Sequence, residues 1–311
     1  MVIAIIGASG FLGSNLVTYL MENSSHSVRA ISRQATNMKV DEKYKTRLTT
    51  HDANVFDEET VTELLGGVDV VYFFAHMMGQ KNKDFYTQEA LSAHRFSAAA
   101  IASGVKRVVF MGGLGDDNEQ LSEHLLSRHN TGTVLRENLP LVIEFRSSMI
   151  IGKGSISYDI IANLVHALPV MTLPRWSKTL TQPIGLEDAL KYLMAAATIP
   201  VKHHEIIEIG GPDVMSYKDL YKLYANTIGR YPLIIRLPFL PEWLGGWWLN
   251  LFTPSNHAKI GRIMVHSMSN AMVVTHDRAE TLFPDIKPIP ISGVIAQSSR
   301  HGKHEASKSH F

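Results

Sequence analysis

Within its first thirteen residues the chain sets an apolar run, Val2-Ile3-Ala4-Ile5-Ile6, directly against Gly7-Ala8-Ser9-Gly10-Phe11-Leu12-Gly13. An apolar strand that feeds at once into a Gly-x-x-Gly-x-x-Gly turn and then an amphipathic helix predicts the corner of a sheet built to cradle a dinucleotide. Gly7 permits the tight turn, Gly10 lets the backbone approach a pyrophosphate with no side chain between, and Gly13 lets the helix pack close on the strand. Ser9, Phe11 and Leu12 complete the cradle. Phosphates would face the helix N-terminus, where free N–H groups and about half a positive charge await them.

Apolar strand-like runs then alternate with helical patterns through the first half, the signature of a parallel sheet covered on both faces. Strands are predicted at Val2–Ile6, Ser27–Ile31, Arg47–Thr50, Val68–Phe74, Arg107–Met111 and Leu141–Phe145, with helices from about Gly10 to Glu22, Glu58 to Leu65, Phe85 to Ser103 and Leu121 to Glu137. The fold class is α/β: a Rossmann-type doubly wound sheet over residues 1–150, followed by a smaller substrate-side subdomain over 151–296. In the second half Ser157–Ala167, Leu186–Ala197 and Tyr217–Ile228 read as helices, and Leu180–Ile184 and Glu205–Ile209 as strands. Residues 297–311 are rich in Ser, Lys and His with almost no apolar content, which predicts a disordered tail.

With 311 residues, 45% of them hydrophobic and 19% charged, the chain can bury a substantial core. A formal net charge of +1 supplies no field favouring nucleic acid, and no basic stripe with interleaved aromatics runs along it. Without cysteine there are no disulfides, thiolate nucleophiles or cysteine metal sites. The fifteen histidines lack a ligand spacing such as His-Glu-x-x-His, so no metal is assigned. The opening residues read as a strand rather than a secretory leader, and a cytoplasmic location is the expectation. Three of the four tryptophans, Trp243, Trp247 and Trp248, cluster in a segment too short and too interrupted to span a bilayer. Packing or a pocket is the favoured role for them, with a lipid surface or a dimer face left open.

In an NAD-preferring cradle an acidic residue at the end of the second strand binds the adenine ribose hydroxyls. Here that strand ends Arg29-Ala30-Ile31-Ser32-Arg33, without a carboxylate. Arg33 and the Ser32 hydroxyl suit a 2'-phosphate, so NADP(H) is favoured over NAD(H). Asp52 after the third strand is a candidate acceptor for the adenine amino group, equally readable as a turn aspartate, with Ala53 supplying backbone beside it. After the fourth strand, small Ala75 admits the ribose and places His76 near the reactive end of the cofactor.

The glycine turn, Asp52, the Ala75-His76 segment and Phe145-Arg146-Ser147-Ser148-Met149-Ile150-Ile151-Gly152 together resemble the atypical and extended short-chain dehydrogenases, most closely the NmrA-like, YbjT-like NAD(P)H-binding group. Leu121–Arg128, Leu168–Trp176, Thr181–Ile184 and Gly210–Asp213 extend the resemblance over nearly the whole chain apart from the tail. Typical members use Tyr-x-x-x-Lys on a helix with a serine after the fifth strand. None of the ten tyrosines here is followed four residues later by lysine, and the serine position reads Met111-Gly112-Gly113. His124 and Arg128 stand where the pair is expected; imidazole exchanges protons near neutrality and arginine supplies a fixed cation. The candidate catalytic residues are therefore His124, Arg128 and His76, with Gly112 beside the cofactor. Met77, Tyr158, Arg175, Trp176 and Gln182 are the candidate substrate contacts, Arg175 and Trp176 suiting an anionic planar ligand.

The resemblance implies an NADPH-dependent oxidoreductase acting on a small carbonyl or quinone-like molecule. A non-catalytic NADP(H) sensor or assembly factor stands second, favoured by the glycines at the serine position. A nucleotide-sugar epimerase stands third, since it needs the missing tyrosine and lysine.

Overall fold

The structure, a computed structural model, describes residues 1–76, 85–117, 119–236 and 267–308. Met77 and the tryptophans at 243, 247 and 248 lie outside the described residues. The amino-terminal half runs β1 (Val2–Ile6), α1 (Phe11–Asn23), β2 (Ser27–Ser32), β3 (Leu48–Asp52), α2 (Glu58–Leu65), β4 (Val70–Phe73), α3 (Phe85–Ala102), β5 (Arg107–Gly113), α4 (Glu123–Asn138) and β6 (Val142–Ser147). The remainder runs β7 (Ile150–Ile151), α5 (Ile156–Ala167), β8 (Val170–Leu173), β9 (Leu180–Thr181), β10 (Ile184–Gly185), α6 (Leu186–Ala196), β11 (Glu205–Ile209), β12 (Met215–Ser216), α7 (Tyr217–Thr227), β13 (Leu233–Arg236), α8 (Arg278–Leu282) and α9 (Ile291–Lys308).

Seven parallel strands form the main sheet in the order β11-β6-β5-β4-β1-β2-β3. The chain order reverses between β1 and β4, which is where doubly wound sheets open a ligand crevice at their carboxyl ends. β1 shows why a near-continuous apolar run is needed there. Ile3 and Ile5 join a core with Leu16 and Leu20 of α1 and Leu193 of α6, while Ala4 and Ile6 join the opposite core with Phe96 and Ala99 of α3. Both faces are buried, as the period of two demands in a sheet covered on both sides.

β11 lies beyond residue 150 yet forms an edge of this sheet, and α6 covers one of its faces. Arg107 at the start of β5 fastens that helix: its guanidinium donates to Ala196 O at 3.0 Å, Ala197 O at 2.8 Å and Ile199 O at 2.8 Å, placing a cation at the carboxyl end of α6. Arg47 serves α1 in the same way through Met21 O and Ser24 O, both at 2.9 Å. A third core joins α5, α7 and α9 through Ile161, Tyr221 and Ile295 and reaches back to Leu125 of α4.

α9 runs to Lys308, into the stretch 297–311 that the sequence reading sets apart as a tail. Its first turns are anchored by buried Ile291, Val294 and Ile295, and a helix nucleated by packing propagates at little further cost. Among the described residues no helix is long and apolar enough to cross a membrane, and no group of three or more His, Asp or Glu could hold a metal.

Candidate active site

The turn after β1 is built to be bare. Gly7 has φ of +86°, and a Cβ there would lie 2.8 Å from the carbonyl of Phe74 at the end of β4. A Cβ on Gly13 would lie 2.4 Å from Gly7 O, so α1 can sit this close to the turn only with glycine at that position. Gly10 is the residue before α1 and no side chain caps the helix, which leaves its first amides turned to the crevice. Two cavities adjoin here and share Gly7, Gly10, Phe74 and His76. The smaller, of about 200 Å³, runs towards β2 and β3; the larger, of about 350 Å³, runs towards α4 and α5. A turn this bare can take the phosphates of a nicotinamide dinucleotide against main-chain amides.

Ser9, Ser32, Arg33, Ala53 and Ala75 line the smaller cavity, as does Asn54, which the sequence reading did not single out. Arg33 is exposed, so its guanidinium is accessible at the cavity rim. Asp52 is elsewhere: its carboxylate accepts from the Thr36 amide at 2.9 Å and the Thr36 hydroxyl at 2.6 Å, bracing the turn that follows β2. Those two bonds hold Asp52 below the usual carboxylate range. The turn-aspartate alternative describes its geometry, and Ala53 and Asn54 line the cavity in its stead.

Phe11, Leu12, Gly13 and Gly112 line the larger cavity together with His76, His124 and Arg128. One turn apart on α4, His124 and Arg128 share a face. The helix starts at a Ser122 cap whose hydroxyl accepts from Leu125 N at 3.3 Å and lies 2.8 Å from Ser267 Oγ. A side chain at Gly113 would place its Cβ 2.7 Å from Leu125 Cδ2, so the position where a serine was expected instead lets α4 lie close to β5.

The His76 ring stacks on that of His124, centroids 5.5 Å apart. Beneath them lies Glu89 of α3, 1% exposed and also missed by the sequence reading. Its carboxylate is bonded to His76 Nδ1, accepts from Ser127 Oγ at 2.7 Å and lies 3.7 Å from Arg128 Nη1. Arg128 also donates to Met111 O and spreads over the Phe110 ring. Burial opposes a negative charge on Glu89, but the His76 and Ser127 bonds and the Arg128 charge outweigh it and keep the carboxyl strongly ionised. Burial, with the Arg128 charge, lowers His76 against the pull of Glu89. Burial and the neighbouring His76 and Arg128 push His124 down to about 3. Among the described residues His124 Nδ1 and Arg128 Nη1 are buried without a hydrogen-bond partner. A signal for Glu89 existed: on α3 it shares the stripe of Ser92, Ala93, Phe96 and Ala100, where a charge is out of place unless paired.

The structure brings none of the described substrate candidates to either cavity. Tyr158 is buried against Tyr224, and Trp176 packs edge-on against Tyr217. Arg175 is exposed. Gln182 spends its amide on the backbone, donating to Gly211 O at 2.8 Å and accepting from Val274 N at 2.9 Å. The far wall of the larger cavity is instead apolar with scattered hydroxyls, including Met149, Ile150, Ser157, Met268 and Met272.

Residues 7–139 match a family described as NAD(P)H-binding, and this part of the chain is an NAD(P)H-binding domain. The chain is 24% identical over 238 residues, 76% of its own length and 74% of the relative's, to the ceramide reductase of Caulobacter vibrioides. In structure it is similar to a nucleoside-diphosphate-sugar epimerase from Staphylococcus aureus, with a TM-score of 0.74 and 15% identity over 95% of this chain and 100% of that one. MoeE5 in complex with UDP-glucuronic acid and NAD is similar with a TM-score of 0.73 and 16% identity, over 97% and 100% of the two chains. The Rossmann-type fold expected from the sequence is thus the fold of known NAD-binding proteins.

Proposed function

We propose that the chain is a reductase that uses NADPH to reduce a carbonyl carried by an apolar substrate. The observation that supports it most is the meeting of His76, His124 and Arg128 where the dinucleotide cradle opens into an apolar cavity. Arg33 at the rim of the first cavity supports preference for the phosphorylated nucleotide. When bound, that nucleotide supplies the hydride that reaches the carbonyl carbon.

The side chains supply the rest. Arg128 places a fixed cation where negative charge develops on the substrate oxygen. His76 carries a proton on Nε2 only as the imidazolium, its Nδ1–H held by the Glu89 carboxylate; from that form Nε2 gives its proton to the oxygen, so the carbonyl gains one hydride and one proton and leaves as an alcohol. His124, neutral down to about pH 3, acts as a stacked, hydrogen-bonding neighbour rather than the proton source given to it on sequence grounds.

The ceramide of the Caulobacter relative's name is a lipid, in keeping with an apolar substrate. A nucleotide sugar fits poorly, because among the described residues lining the larger cavity Arg128 is the sole Lys or Arg, and a diphosphate needs several counter-charges. Titration with NADPH and NADH, followed by NADPH oxidation over ketones, aldehydes and quinones, tests the proposal. Tighter NADPH binding that Arg33→Glu weakens most is the expected result; equal affinity for the two nucleotides removes Arg33 from its role. Tight binding with no acceptor turned over points to the sensor reading.

A further inference from the structure

The serine expected after β5 is missing, but another stands one strand over. In the register of the two strands Gly113 of β5 pairs with Ser147, the last residue of β6, so the two positions lie about 5 Å apart at the carboxyl edge of the sheet. Ser147 lines the larger cavity together with His76, His124 and Arg128. It is 4% exposed, and its hydroxyl donates to Met111 Sδ at 3.5 Å. A thioether is a weak acceptor, so burial takes water from this hydroxyl without returning a bond of ordinary strength. Other serines of the cavity are spent on the protein: Ser148 donates to Gln182 O at 2.6 Å, Ser155 donates to Ile150 O at 2.8 Å, and Ser267 Oγ lies 2.8 Å from Ser122 Oγ. Ser157 belongs to α5, on the far wall.

We infer that the Ser147 hydroxyl is a catalytic group, which donates a hydrogen bond to the carbonyl oxygen of the substrate and, with Arg128, stabilises the negative charge that develops there. The inference rests on the reductase reading and supplies it with the donor that Gly112 and Gly113 lack. Both groups are tied to Met111, which also lines the cavity: the guanidinium donates to its carbonyl, and the hydroxyl donates to its sulfur. The cation and the hydroxyl thus close on the same stretch of the cavity wall. Methionine is suited to give way between them, because its unbranched, three-rotor side chain swings aside at little cost when a better acceptor arrives. Ser147 keeps its proton throughout; it donates only a hydrogen bond, while His76 supplies the proton and the nucleotide the hydride. A hydroxyl already buried and aimed has little reorganisation left to undergo as the charge forms.

With NADPH-loaded protein and 2-octanone as the carbonyl probe, Ser147→Ala should lower kcat about a hundredfold, the usual loss of one such donor, while NADPH Kd and melting temperature stay as they were. Ser147→Cys keeps the shape with a weaker donor, so its kcat should fall between the two. A kcat that neither variant changes overturns the assignment and leaves the reductase standing. So does a loss that follows NADPH affinity, which would give the hydroxyl to the cofactor instead. Failure of every ketone, aldehyde and quinone to oxidise NADPH sinks the reductase reading. Where 2-octanone is not turned over, octanamide, whose unreactive carbonyl oxygen accepts the same bond, decides the serine through thermal stabilisation of the NADPH-loaded protein. Stabilisation that Ser147→Ala abolishes and Ser147→Cys reduces supports it; stabilisation equal in all three proteins, or absent from the unmutated one, overturns it.

Discussion

A carboxylate that is 1% exposed stays charged only if its surroundings compensate, and Glu89 has His76, Ser127 and Arg128 to do so. The same contacts fix which nitrogen of His76 carries its proton, much as a buried acid orients a catalytic imidazole elsewhere. Replacing the acid with its neutral isostere, Glu89→Gln, removes the one influence that raises His76. Reduction consumes the protonated imidazole, so the pH above which turnover falls should move to more acidic values and kcat should drop, with NADPH affinity retained. A pH profile of kcat that superimposes on that of the unmutated protein would show that Glu89 does not act through His76. Glu89 was passed over because a helical glutamate usually reads as a solvated face, although its place on the apolar stripe of α3 marked it as buried. For Asp52 two readings stood side by side, and its carboxylate is spent on the Thr36 turn sixteen positions earlier in the chain.

At the scale of elements, the junctions are held by backbone proximity and by arginines at helix ends. Gly13→Ala would force Cβ to within 2.4 Å of Gly7 O, a backbone atom that cannot rotate away. The α1 corner must shift, at a cost of about 1–3 kcal/mol, and dinucleotide affinity should fall with stability. Unchanged melting temperature and NADPH Kd in that variant would contradict the close helix–strand contact. Arg107→Met keeps the stem but removes the donors to three carbonyls at and just beyond the end of α6, and a loss of about 1.5–3 kcal/mol is expected from denaturant unfolding, with affinity for NADPH unaltered. The α4 pair was readable because residues four apart share a face whatever the helix packs on. The substrate contacts were not: Tyr158, Trp176 and Gln182 have the right chemistry, but aromatic rings and an amide also satisfy a core and a loop junction, and burial decides between those uses.

For the whole molecule, the buried titratable cluster makes stability depend on pH with a definite sign. His124 and His76 sit below their ordinary value in the folded protein, so the unfolded chain takes up protons first as pH falls. Their contribution is complete above about pH 6.5 and is lost as pH drops through that value towards about 3 for His124; Glu89, also depressed, adds a further loss below the ordinary carboxylate range. Thermal melts should therefore show a lower Tm at pH 5 than at pH 7, and His124→Asn should flatten that slope. A slope the variant leaves intact would place the effect in other groups.

The sequence alone determined the sheet and the cradle. Alternation of apolar runs with helical periodicity and three glycines in one turn are local properties, and a strand, a tight turn and a helix follow from them whatever surrounds them. Tertiary structure alone decided that β11 returns to the main sheet, that Glu89 underlies His76, and that Arg175 and Trp176 line neither cavity. Each of those depends on residues far apart in the chain meeting in one place, and on which side chains burial keeps from solvent, neither of which is encoded in spacing.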